Sequence, residues 1–84
     1  MKRRRYRWTS VAALARQNDG HWVLHPDLIA ITTDTLHHMR RRVRALAPTD
    51  SHVYEYARGA EAKDDLGVTR FDCFIRYVPK GTAP

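Results

Sequence analysis

Apolar residues recur along the chain with two different periods, and the change of period marks out the elements. Between Thr33 and Leu46, TDTLHHMRRRVRAL, the residues Leu36, Met39, Val43 and Leu46 return at helical spacing and fall within roughly one quarter of the wheel. His37, Arg40, Arg41 and Arg44 occupy a separate arc, so this helix packs one side and offers positive charge on another. Thr32 or Thr33 supplies its N-cap, Asp34 suits the positive end of the helix dipole, and Pro48 stops it. The arginines of its second half also suit the negative end of the dipole, which is a purely structural reason for them to be there.

Upstream, Thr9 or Ser10 caps a shorter helix running to Gln17, with Val11, Leu14 and Ala15 on one face and Gly20 just beyond its end. The segment His21 to His25, HWVLH, alternates and is closed by Pro26, which predicts a strand with Trp22 and Leu24 on one side and Trp22 in the core. Asp27 to Ile31 reads equally as a helical turn or an apolar connection. Beyond Pro48, His52–Arg58 and Val68–Val78 alternate as two strands joined by a long polar loop that contains Gly59, Asp64, Asp65 and Gly67. In the second of these, Phe71, Cys73, Ile75 and Tyr77 share a face to be buried, leaving Arg70, Asp72, Phe74 and Arg76 on the other. The expected fold is α+β: two helices packed on a small three-stranded antiparallel sheet, in the order α-β-(α)-α-β-β. Residues 8–79 form its single domain, between an N-terminal arm at 1–7 and a tail at 80–84.

Composition adds a partner class to this outline. The 84 residues carry a net charge of +6 and a pI near 10.1, which attracts polyanions such as nucleic acid or acidic lipid headgroups. A domain of this size buries only about 60% of its unfolded surface. Lys2, Lys63 and Lys80 are the only lysines among fifteen basic residues, and Arg suits bidentate contacts to phosphate or guanine, although a GC-rich genome produces the same bias. Cys73 is the sole cysteine, so no internal disulfide forms. The start MKRRRYRW resembles the charged front of a signal peptide, but VAALARQND is too short an apolar run to complete one, and no segment approaches the ~20 apolar residues of a membrane span. A cytoplasmic location without membrane contact is the expectation.

The element order matches that of winged-helix DNA-binding domains, and the resemblance implies a recognition helix in the major groove with the hairpin loop along the backbone. The spacing RW..VA..L....G.W from Arg7 to Trp22, with the Arg-rich helix, the hairpin and a closing RYV, resembles small uncharacterised proteins of actinobacteria and their phages; it implies a phage or prophage setting and no settled activity. RALAPTD, Arg44 to Asp50, and the terminal GTAP are similar to segments of tail-completion proteins of tailed phages. RFDCFIRY partly resembles the aromatic strand of RNA-recognition domains, without their βαββαβ order.

The candidate site is therefore electrostatic. Arg40, Arg41 and Arg44, with His37 beside them, would face nucleic acid from the central helix; Lys2, Arg3, Arg4, Arg5 and Arg7 would track phosphate or enter a minor groove; Arg70 and Arg76 form a second tier. Arg42 lies on the far flank and pairs with an acid or packs its stem. His21, His25, His37 and His38 complete no metal motif, and the chain has no GxSxG and no phosphate-cradling glycine loop, so no metal, cofactor or enzyme activity is expected. The resulting expectation is a small basic DNA-binding regulator of phage or mobile-element origin, with DNA ahead of RNA and a homodimer or host protein as further partners. Two other classes stand beside it: a protein-interaction module using the Leu36, Met39, Val43, Leu46 stripe, and a phage head-tail structural component.

Overall fold

The computed structural model describes residues 6–18, 20–46 and 51–80. In chain order they form α1 (Trp8–Gln17), a 3₁₀ turn (Pro26–Leu28), α2 (Thr33–Leu46), β1 (His52–Lys63) and β2 (Thr69–Pro79). The arm residues Lys2, Arg3, Arg4 and Arg5, the Pro48–Asp50 stop, the terminal GTAP and the side chain of Leu46 lie outside the described residues.

The start of α2 follows from Thr32, whose Oγ1 accepts the Thr35 N–H at 3.3 Å while its carbonyl accepts the Leu36 N–H at 3.0 Å. Helix α1 starts two or three residues earlier than a Thr9 or Ser10 cap would place it, and its N-cap residue Arg7 makes no side-chain capping bond. Ser10 is instead one turn inside the helix, and its hydroxyl is bonded to His25 at 2.9 Å. At the other end Asn18 Nδ2 donates to the Leu14 carbonyl at 2.7 Å, and Gly20 at φ 82° turns the chain away.

The sheet has two strands, which corrects the expected three-stranded one. The segment 21–25 does not become a strand: it pairs with β2 through a single bridge, Val23 to Ile75, and the next bridge to β2 is at Ile31, opposite Phe71. Seven residues separate those two bridges on one side and three on the other. The excess is taken up by the 3₁₀ turn at Pro26, whose missing N–H and fixed φ end a ladder. Return to the sheet passes through Ala30 at φ 54°, held by its N–H to Asp72 Oδ1 at 2.9 Å and by its carbonyl, which accepts from Arg70 Nη1 at 3.0 Å. With two strands, and three residues of 3₁₀ where a second helix would precede the recognition helix, the winged-helix likeness also falls.

β1 and β2 pair antiparallel, Tyr54 opposite Tyr77, Tyr56 opposite Ile75 and Arg58 opposite Cys73. The loop expected from Gly59 onward is largely strand. A bulge sets Gly59 and Ala60 against Asp72, after which pairing resumes at Glu61 opposite Phe71 and runs to Lys63 opposite Thr69. Asp64 closes the short turn: its Oδ1 accepts the Leu66 and Val68 N–H groups, each at 2.9 Å.

Val11, Ala12 and Ala15 of α1, Leu28 and Ile31 of the connection, Leu36, Met39 and Val43 of α2, and Phe71, Cys73 and Ile75 of β2 form one buried core. Met39, Val43, Cys73 and Ile75 are fully enclosed. Leu36, Met39 and Val43 of the α2 stripe are thus covered within the chain. Trp22 departs from expectation: 42% of it is exposed, because the segment that carries it is bridged to the sheet only at Val23 and, among the described residues, no other element covers it beyond Arg76 over its ring.

Candidate nucleic-acid interface

The basic residues divide by what they touch. Arg70 Nε donates to Asp64 Oδ2 at 2.7 Å. Arg76 Nε and Nη2 reach Glu55 Oε1 at 2.7 and 2.6 Å, and its guanidinium lies 4.4 Å from the Trp22 ring centroid. Arg58 sits 4.6 Å over the Phe71 ring and 3.5 Å from Glu61. Arg7 gives Asp27 Oδ2 its backbone N–H at 2.8 Å and its Nε at 3.2 Å. These arginines brace the fold; Arg7, Arg70 and Arg76 of the candidate set are among them.

Arg40, Arg41, Arg42 and Arg44 are different. All four are exposed on α2, and among the described residues none has a carboxylate at ion-pair distance. Arg40 rests 5.7 Å from the Tyr56 ring centroid. His37 is exposed on the same helix. Arg42 lines an open groove with Tyr6, Trp8 and Ala45 and has no acid at ion-pair distance among the described residues. Unpaired guanidinium groups three and four residues apart repel one another modestly and present a row of donors to any polyanion that approaches.

Beside Arg40 lies an open cleft that also includes Trp22, Leu36, Tyr54, Glu55, Tyr56 and Arg58. Its aromatic wall is legible in HVYEYAR, where period two sends Tyr54, Tyr56 and Arg58 to one face of β1; Trp22, expected in the core, is the member that sequence reasoning misplaced. Burial pushes the Tyr56 hydroxyl up to about 12, so it remains a donor at neutral pH. Tyr54 Oη accepts from Arg16 Nη1 at 2.8 Å, which fixes its ring against the sheet.

Ser10 and His25, 2.9 Å apart, invite a nucleophilic reading that the hydrogen bonds oppose. His25 Nδ1 accepts the Asp27 N–H at 2.9 Å, so the ring proton sits on Nε2 and is donated to Ser10 Oγ. A base would have to accept from that hydroxyl. Burial lowers the His25 pKa, with Asp27 raising it and Arg7 lowering it further, and the imidazole stays neutral. The Arg7 hydrogen bond holds the Asp27 carboxylate below the usual range. The group ties α1 to the 3₁₀ turn.

Among the described residues no three His, Cys, Asp or Glu side chains gather as a metal site, and no helix is long and apolar enough to cross a membrane. Comparison with family models, curated proteins and solved structures finds no match to this chain.

Proposed function

We propose that this protein is a small nucleic-acid-binding protein that presents the outer face of α2 to a phosphate backbone, with Arg40, Arg41 and Arg44 as its principal contacts and His37 at their edge. The single observation that carries the reading is that these arginines stay exposed and without carboxylate partners among the described residues, while the arginines of the strands are bound to Asp64, Glu55 and Glu61. A fold that pairs the arginines of its strands with carboxylates and leaves several arginines of one helix bare suits counterion release from a polyanion. DNA is the preferred partner, because an exposed Arg-rich helix fits the wide major groove of B-DNA and not the deep, narrow one of A-form RNA. A role as a regulator of phage or mobile-element origin, acting in the cytoplasm without catalysis or a cofactor, completes the proposal. Burial of the Leu36, Met39 and Val43 side chains inside the chain favours this reading over a protein-interaction module built on that stripe.

Fluorescence-anisotropy titration of a random-sequence duplex at several salt concentrations tests the proposal. Wild type should lose affinity linearly in log salt, and Arg40/Arg41/Arg44→Ala should lower the slope by roughly two to three phosphate contacts. Absence of binding at low salt, or equal slopes in the two proteins, would refute it.

A further inference from the structure

Strand β1 has one edge bonded to β2 and a second edge that no other strand covers among the described residues. We infer that this open edge takes up a short extended segment of an acidic partner protein as a third strand, with the segment's carboxylates meeting Arg40 and Arg44 on the helix side of the sheet. The inference goes beyond the nucleic-acid reading and does not need it.

The hydrogen bonds of β2 fix which groups of β1 are left over. Ile75 donates its N–H to the Val23 carbonyl and accepts from the Val23 N–H, and Phe71 does the same with Ile31, so both residues turn their backbone groups away from β1. Tyr56, opposite Ile75, therefore sits in a pair without ladder bonds, and its own N–H and C=O point to the outer edge. Alternation extends this to Tyr54 and Arg58, and among the described residues no backbone bond reaches any of these groups. No residue of β1 is buried, whereas Phe71, Cys73 and Ile75 of β2 are. The bulge at Gly59 and Ala60 interrupts the ladder, which leaves residues 52–58, the length of an ordinary strand. An unpaired edge of that length is the surface that strand addition uses.

Charge selects the occupant. Arg40 lies 5.7 Å from the Tyr56 ring centroid, and the charge of Arg44 also reaches the Tyr56 hydroxyl. Neither guanidinium has a carboxylate at ion-pair distance among the described residues. On an added antiparallel strand, the residues opposite Tyr54, Tyr56 and Arg58 project to this same face, where acids are favoured. The alternate residues lie beside Val53, Glu55 and Ala57 on the other face, and Glu55 is already held there by Arg76, so apolar side chains suit those positions. The segment that fits alternates acidic and apolar residues. A second copy of this chain is the poorer occupant, because bonding through the same outward groups brings its own Arg40 and Arg44 to the same face. A segment seated on this edge covers two of the cations assigned to the phosphate backbone, so on that reading it keeps nucleic acid out.

The test uses the full chain without nucleic acid and a short capped peptide in which glutamate and valine alternate, read by calorimetric titration and by amide hydrogen exchange. Wild type should bind the peptide, and exchange should slow at the Tyr54, Tyr56 and Arg58 amides, while those of Glu55 and Ala57, already directed to β2, stay as they were. N-methylation of the peptide's glutamates removes the N–H groups that face β1 and should cost about tenfold or more in affinity; N-methylation of its valines, whose N–H groups face away, should cost less than about twofold. Arg40/Arg44→Ala should weaken the unmodified peptide about fivefold and keep the wild-type circular dichroism, since both side chains are exposed. Lysine in place of glutamate should abolish binding. Absence of binding, equal losses from the two methylations, no slowing at Tyr56, undiminished binding by the double mutant, or equal affinity for the lysine peptide would each overturn the inference. Self-association of the wild-type chain through these same amides would also overturn it and assign the edge to a second copy. None of these outcomes bears on duplex binding, so the helix reading stands or falls separately.

Discussion

Lowering the pH should unfasten α1 from the 3₁₀ turn through one group, His25. Its ring is 4% exposed and makes two hydrogen bonds, Nδ1 accepting from Asp27 N–H and Nε2 donating to Ser10 Oγ, each at 2.9 Å. An imidazolium has no acceptor to offer Asp27, so protonation breaks the first bond and places a charge in a buried site. Because burial lowers the folded pKa beneath its usual 6.5, the unfolded chain takes up the proton first. The stabilisation from neutral His25 is complete above 6.5 and is lost as the pH falls from there through the folded pKa, at up to about 1.4 kcal/mol per pH unit. Replacing the ring altogether, in His25→Ala, removes both bonds and strands the Asp27 N–H, a cost of about 2–3 kcal/mol. For a chain of 84 residues, whose total stability is about 4–13 kcal/mol, that is a large share. His25→Asn keeps an acceptor for Asp27 and does not titrate. Urea unfolding between pH 7.5 and 5 checks the argument, since Asp27 and Asp64, both held below the usual carboxylate range, lose their contributions only in more acid solution. Wild type should lose stability across that window more steeply than His25→Asn. Parallel pH profiles for the two proteins would refute the reasoning.

Three further outcomes follow from the packing. Met39→Ala, in a fully buried position, should cost about 2–5 kcal/mol in urea unfolding, and a change below 1 kcal/mol would contradict the placement of α2 against the core. Cys73 is fully enclosed, with burial pushing its thiol up to about 11, so Ellman's reagent at pH 8 should react with it only after denaturant is added. Gly67→Ala places a β-carbon at φ 80° and should lower stability by about 1 kcal/mol in a thermal melt, whether or not the turn has room for the methyl group.

Local signals carried the parts of this fold that depend on local chemistry. Helix α2 has the bounds that its apolar period and Thr32 imply, and the alternation of Phe71, Cys73 and Ile75 identified the buried face of β2. The sequence of HWVLH looked equally convincing as a strand, but pairing is a tertiary property, and the 3₁₀ turn at Pro26 limits this segment to one bridge. β1 continues past Gly59 because a bulge absorbs the extra residue opposite Asp72, a partner that alternation along one strand does not reveal. The same limit applies to the charges. Arg7 meets Asp27 twenty residues away and Arg76 meets Glu55 twenty-one away, so which arginines are spent and which are bare could not be read from their order in the chain. Trp22 was misplaced for the related reason that an apolar side chain on an alternating segment is buried only if the segment is covered.

The claim that the exposed face of α2 is where nucleic acid binds is tested most directly by amide chemical-shift mapping during titration with a short random-sequence duplex at low salt. The account predicts fast-exchange shifts centred on residues 37–44, reversed by added salt, with the Asp64–Val68 turn unmoved. Shifts centred on that turn, or none at any residue of α2, would contradict it.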